Sequence, residues 1–216
     1  MPAPLPTDPE YLDTRSARKR AAILGAATAV FLQSGYLGTS MDEIAALARV
    51  SKQTLYRHFA DKESLFVEIV IATVDQISDP VHDDVLALAE SGDLEADLRQ
   101  LARQLLTSVM QPRVLELRRL VIAEASRFPE LGRAFYERGP GRTIGALSDL
   151  FKRLNQRGEL RAPDARLAAA QFNWLVMSAP MNEAMLLGDD AVPGRSALNR
   201  HADKAVATFL AAYANA

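Results

Sequence analysis

The chain has 216 residues, 49% of them hydrophobic and 24% charged, an ordinary globular balance with enough length for one or two domains around a real core. It has no cysteine, which excludes a disulfide framework or thiolate metal site and fits a reducing cytoplasm. His58, His82 and His201 lack ligand spacing, so neither a metal nor any other cofactor is expected.

Abundant alanine and a single tryptophan favour an all-α fold. There is no apolar signal core after a basic start and no uncharged apolar run of about 18 residues, so a cytoplasmic protein with no membrane span is expected. The net charge of -2 hides a partition. Residues 14–62 hold eight Lys/Arg against three Asp/Glu, residues 1–13 carry three acids and no base, and residues 63–216 hold seventeen bases against twenty-one acids. A basic excess confined to one stretch is the footprint of a nucleic-acid-binding domain. The expected organisation is an arm over 1–13, a DNA-binding domain over 14–62 and a larger helical domain over 63–216.

Residues 1–13 carry four of the eleven prolines and are expected to be a disordered arm. A first helix is predicted over 15–34, with Ile23, Ala27, Val30 and Phe31 as its apolar stripe and Gly35 as its C-cap. Arg15, Arg18, Lys19 and Arg20 crowd its start, where the helix dipole disfavours cations and a phosphate partner would relieve them.

Two short helices then follow across a tight turn. Ser40 and Glu43 have capping-box spacing, with Thr39 and Asp42 as a rival register. Ile44, Leu47 and Ala48 are expected on one buried face, Val50 in the turn, Ser51 as the second cap, and Leu55 and Phe59 as inward anchors. Lys52, Gln53, Thr54, Tyr56, Arg57 and His58 crowd the outward side of barely two turns. They offer donors for base edges and cations for phosphates, as a helix entering the major groove requires.

Asp61 and Ser64 can cap a fourth helix carrying Leu65, Phe66, Ile69, Val70 and Val74, expected to stop near Asp79–Pro80. Taken alone, the pattern also suits a solvated helical hairpin.

The runs Gly35-Tyr-Leu-Gly-Thr-Ser-Met-Asp-Glu-Ile-Ala45, Val50-Ser-Lys-Gln-Thr-Leu-Tyr-Arg-His-Phe59 and Asp61-Lys-Glu-Ser-Leu-Phe66 closely resemble the DNA-binding domain of the TetR family of bacterial transcriptional repressors. The resemblance implies a three-helix helix-turn-helix domain followed by a larger ligand-binding and dimerisation domain, about nine helices in all. It implies that Tyr36 packs within the three-helix unit, that Tyr56 and Lys62 meet the DNA backbone, and that the fourth helix joins the two domains.

On this basis Lys52, Gln53, Thr54 and Tyr56 are the candidates for reading bases. Arg18, Thr39, Arg49, Arg57, His58 and Lys62 are the candidates for backbone contacts, His58 being equally compatible with a merely solvated side chain. The family often has glycine where this chain has Arg49. Either the turn strains Arg49 at positive φ, or it accepts arginine and gains a phosphate-facing cation.

Beyond residue 80, helical periodicity predicts helices over 82–90, 94–110, from Pro112 through Ile122, from Glu130 through Tyr136, over 142–156, 164–187 and 196–213, with Gly139-Pro-Gly141 as a kink or short loop. Pro180 is expected to kink the helix over 164–187. Arg127-Phe-Pro-Glu-Leu131, Gly158-Glu-Leu160 and Ala162-Pro-Asp164 resemble the C-terminal domains of family members akin to regulators of multidrug efflux.

Met110, Phe128, Phe135, Phe151, Phe172, Trp174 and Met177 are the candidate lining of an effector pocket. The last two helices are apolar over more than one face, so Leu175, Ala179, Met181, Leu198, Ala202, Ala205 and Phe209 are the candidate dimer contacts.

The resemblance implies a homodimeric repressor on a near-palindromic double-stranded operator, released by a small, largely apolar or aromatic effector. An activator of the same family remains open. An enzyme lacks support, since the chain has no nucleophile elbow, no glycine-rich phosphate loop and no paired histidines. A helical scaffold binding only ligand or protein has no use for the basic excess over 14–62.

Overall fold

The elements follow one another as α1 (Pro9–Gly38), α2 (Met41–Leu47), α3 (Lys52–His58), α4 (Lys62–Ala87), α5 (Leu94–Val109), α6 (Pro112–Glu124), α7 (Pro129–Arg138), α8 (Pro140–Gln156), α9 (Ala165–Leu187) and α10 (Arg195–Tyr213). The computed structural model describes residues 9–87 and 93–215. Among them there is no strand, only an isolated antiparallel bridge between Leu160 and Ala214. The chain divides into two compact units, one up to Val70 and one from Ile71 onward.

In the first unit, Gly35 breaks the line of α1 at φ 67°, a backbone that glycine adopts at no steric penalty. Of the arm expected over 1–13, residues 1–8 lie outside the described residues, and from Pro9 onward the chain is already helical. Proline suits a first helical position because its missing N–H would be unpaired there anyway.

By length and composition residues 15–38 are apolar enough to cross a bilayer. Ile23, Ala27, Val30 and Phe31 are nevertheless buried in the interior of this unit. Phe31 meets Phe66 of α4 at 4.8 Å between ring centroids, and Tyr36 completes the cluster at 5.2 Å from Phe66. Leu65, Phe66 and Ile69 are buried, which is why the unit extends to Val70 rather than closing at residue 62, where the charge changes.

Two expectations about helices are corrected. On α2 the buried residues are Met41, Ile44 and Ala45, while Leu47 is 55% exposed. The Ser40 cap sets the register, and its period turns Leu47 outward. The fourth helix does not stop at Pro80. It continues to Ala87 with Pro80 inside it, absorbing the start of the helix expected over 82–90, whose end lies outside the described residues. Asp79, beside the proline, is ion-paired with Arg142 of α8.

In the second unit, α5 packs against α10, and α8 against α9. An aromatic cluster lies between them: Phe151 and Phe172 each stand 5.1 Å from Phe209, which meets Tyr213 at 4.9 Å. Arg103 donates two hydrogen bonds of 2.7 Å to Asp203, tying α5 to α10. The Asn155 side chain grips Ala162 in both directions, donating to its carbonyl at 2.6 Å and accepting from its N–H at 2.9 Å.

The predicted kink in α9 falls at Ser178, at φ -4° and ψ -113°. Pro180 has no N–H for the carbonyl of Val176 one turn back. His201 Nε2–H of α10 supplies the missing donor at 3.1 Å.

Candidate nucleic-acid interface and ligand cavity

The geometry of the reading head follows from its caps. Ser40 Oγ accepts the N–H of Glu43 at 3.1 Å and starts α2, which settles the register in favour of Ser40 over Thr39. The helix ends in a Schellman motif: Val50 N–H donates to Ala45 O at 3.0 Å and Arg49 N–H to Ala46 O at 3.1 Å. That motif needs a left-handed residue, and Arg49 fills it at φ 54°. Ser51 Oγ then accepts the N–H of Thr54 at 3.1 Å and opens α3. Leu55 is fully buried and Phe59 is 3% exposed, so α3 is held by its inward side and presents the other.

The candidates for reading bases come together on this outward side. Lys52, Gln53 and Tyr56 are exposed, and Thr54 is half-buried. Lys52 is ion-paired with Asp42 at 2.6 Å, an exposed contact that a phosphate or base edge can replace at little expense. The Thr54 hydroxyl lies 2.9 Å from Ser51 Oγ.

The backbone candidates differ more. Arg18, Arg49 and Arg57 are exposed and make no ion pair among the described residues. Thr39 is 3% exposed and its hydroxyl donates to Gly35 O at 2.7 Å, so this side chain is withdrawn from the surface. Lys62 Nζ donates to Tyr36 O at 2.8 Å and Thr39 O at 2.9 Å and lies 4.6 Å from the Tyr36 ring centre. Two of its three hydrogens therefore clamp the end of α1 to the start of α4. Asp61 and Ser64 cap each other reciprocally, and these hydrogen bonds hold the Asp61 carboxyl below its usual range.

His58 is half-buried, and its Nε2 is enclosed without a hydrogen-bond partner. Desolvation, then the nearby charges of Arg57, Arg20 and Lys19, hold its pKa below the ordinary value. Arg20 is paired with Glu68 and stacks over Phe59 at 5.5 Å.

In the second unit a cavity of about 50 Å³ opens between α4, α5, α6, α7, α8 and α9. Of the seven pocket candidates, Phe135, Trp174 and Met177 line it. The other four candidates do not: Met110, Phe151 and Phe172 are spent in the packed core, and the half-buried Phe128 stands at the N-terminus of α7. Gly139 and Pro140 form one wall. A Cβ at Gly139 would lie 2.9 Å from Phe135 O and 3.4 Å from Val74 Cγ1, so only glycine lets α7 turn into α8 this tightly.

Sequence reasoning missed the polar lining, above all Arg118 and Asn173. The signal was present for Arg118, which falls in register with Val114 and Val121 on the apolar stripe of α6.

The dimer candidates require a correction. Met181, Leu198, Ala202, Ala205 and Phe209 are buried within the single chain, because α10 turns its apolar stripe onto α5 and α9. Only Leu175 and Ala179 keep exposed surface. The large apolar side chains left uncovered on α9 are Leu167, Trp174, Leu186 and Leu187.

Residues 23–69 match the family model of bacterial regulatory proteins of the TetR family, and residues 96–215 match that of the AefR-like transcriptional repressor C-terminal domain. A solved protein of Mesorhizobium loti MAFF303099, described as a TetR-family transcriptional regulator, is 46% identical with a TM-score of 0.87, over 93% of this chain and 98% of that one. The flavonoid-responsive regulator FrrA is 31% identical with a TM-score of 0.69, over 92% of this chain and 98% of that one. Among curated proteins, the transcriptional activator FasR of Mycolicibacterium smegmatis is 42% identical over 59 residues, 27% of each chain. The chain spans little more than a quarter of the length of the first such relatives it matches.

Proposed function

The chain belongs to the TetR family and is a DNA-binding transcriptional regulator, not an enzyme; from that premise we propose that it is a cytoplasmic, homodimeric repressor, released from a near-palindromic operator by a small, largely apolar or aromatic effector. Regulators of this family bind operator DNA and small-molecule effectors as dimers. The observation that carries the proposal is the outward face of α3. Lys52, Gln53 and Tyr56 stand exposed there on a helix capped by Ser51 and anchored by Leu55. Arg18, Arg49 and Arg57, on α1, the turn and α3, supply cations for phosphates.

The effector enters the cavity of the second unit. Helix α4 lends Val74, Ile77 and Ser78 to its lining and Leu65, Phe66 and Ile69 to the core of the first unit. A ligand that shifts α4 therefore favours a spacing of the two recognition helices that the operator does not fit. The flavonoid response in the name of FrrA supports an aromatic effector. A partner chain would cover the outward side of α9 around Leu167, Leu175 and Ala179.

Selection of random duplexes by the purified protein at about 150 mM salt, followed by sequencing, tests the reading. Recovery of an inverted repeat is expected; recovery of no motif overturns it. Transcription from the selected site should fall when protein is added. A rise would instead place the chain with activators such as FasR.

A further inference from the structure

Among the described residues the cavity lining carries one full charge and no opposite one: Arg118 is its only ionisable side chain, and no Asp or Glu borders it. Arg118 is mostly enclosed. Among the described residues its guanidinium makes no ion pair or hydrogen bond, its Nε is buried without a partner, and it lies over the Phe135 ring at 5.1 Å. Asn173 on the facing helix α9 is 2% exposed, and its Nδ2 is likewise without an acceptor.

Both unmatched groups are donors. A buried donor left unpaired is destabilising, and a buried unpaired cation more so. Desolvation lowers the pKa of Arg118, but a guanidinium stays protonated at neutral pH. Ser78 and Thr143 add hydroxyls to the lining, and the other walls are apolar and aromatic, including Ile77, Leu105 and Trp174.

We infer that the effector is an organic anion, an aromatic or aliphatic acid, whose carboxylate or phenolate is received by Arg118 and Asn173 while its apolar body lies among the surrounding side chains. This deepens the effector-responsive reading above and rests on it. A neutral hydrocarbon would leave both donors unmatched. A cation would meet a like charge. An acid matches both donors at once, and its charge-assisted bonds to a guanidinium are the strong kind.

Size also matters. An engineered apolar cavity of about 150 Å³ holds benzene, whereas this one measures about 50 Å³. A ring enters more readily if a wall moves aside. Trp174, at 45% exposure, is the side chain that can swing outward without opening the core.

The test uses the full-length protein and emission from Trp174, its only tryptophan. Benzoate and 2-naphthoate are titrated beside the neutral isosteres benzamide and 2-naphthamide. We expect saturable binding of an acid, about 10- to 100-fold tighter than its amide. Arg118→Met should abolish that preference and bind the amide as before, while Arg118→Lys retains part of it. Arg118→Met should also raise the melting temperature of the free protein, because it removes an unpaired buried charge; a structural arginine would give the opposite sign. The acid–amide comparison on the unmutated chain stands even if a variant misfolds.

Equal binding of acid and amide, no binding of either acid at millimolar concentration, or an undiminished acid preference in Arg118→Met overturns the inference. If duplex selection returns no motif while the acid preference holds, the regulatory reading falls and the anion site remains.

Discussion

The two units treat their polar groups in opposite ways. In the reading head the elements are secured by matched hydrogen bonds: Ser40 and Ser51 cap α2 and α3, Asp61 and Ser64 cap each other, and Lys62 is shared between two carbonyls. Its unmatched cations, Arg18, Arg49 and Arg57, are exposed to solvent. In the second unit the unmatched donors of Arg118 and Asn173 point inward to a cavity. A surface that grips a large polyanion can leave its charges in water until contact. A pocket that grips a small molecule must hold them partly dry, and the protein sacrifices stability to do so. On the proposed reading, each unit keeps at its site polar groups that await a partner.

The harshest way to break this contrast is to remove the core of one unit. Phe66→Ala deletes a fully enclosed ring from the Phe31–Tyr36–Phe66 cluster, a loss of about 3–5 kcal/mol. We expect DNA binding to vanish while the urea transition followed by Trp174 emission is unchanged. A Trp174 transition displaced by the same amount would make the two units one cooperative block. Lys62→Met is smaller. It removes two charge-assisted bonds and the stacking on Tyr36, about 1.5–3 kcal/mol. The melting temperature should fall and affinity for every duplex should fall with it. A salt dependence reduced by about one counterion would show that the third ammonium hydrogen also meets a phosphate.

Local chemistry explains why the reading head was legible in the sequence. Caps, turn residues and the anchors Leu55 and Phe59 act over three or four residues, so their spacing is their mechanism. The kink at Pro180 was legible for the same reason. The second unit was legible as helices but not as a site. Phe151, Phe172 and Phe209 look like pocket or interface residues in a list of aromatics, yet they meet one another in the core, because packing brings together helices far apart in the chain. The same packing turns Leu198, Ala202 and Ala205 inward, where periodicity alone could not distinguish one's own core from a partner. Pro80 shows the converse: a strong local stop signal was overridden within α4.

Arg49 allows a milder adjustment on the DNA side. It holds the left-handed position of the Schellman turn, a conformation that disfavours a side chain by about 1–2 kcal/mol. Arg49→Gly should therefore stabilise the first unit by roughly 1 kcal/mol, part of the relief being offset by the greater freedom of glycine when unfolded. It also removes an exposed cation. Stability and DNA affinity should move in opposite directions, read by thermal melting and duplex titration of the same preparation. A fall in both would mean that the turn accepts arginine without strain and that its side chain packs usefully.

The smallest effect concerns His58, the one reading-head group whose charge changes near neutral pH. Its folded pKa lies below the ordinary value of 6.5 because it is desolvated and flanked by Arg57, Arg20 and Lys19. The unfolded chain then binds the proton more readily than the folded one. The stability contributed by neutral His58 is complete above about pH 6.5 and is lost as pH falls from there through the depressed folded value. His58→Gln should flatten that part of the stability curve. Operator phosphates supply negative charge that offsets the three neighbouring cations, so DNA should raise the His58 pKa and binding should take up a proton below pH 6.5. Calorimetry in buffers of different ionisation enthalpy reads that uptake directly. Uptake in the parent protein that disappears in His58→Gln would place this side chain within the phosphate field, whereas equal uptake in both would remove His58 from the interface.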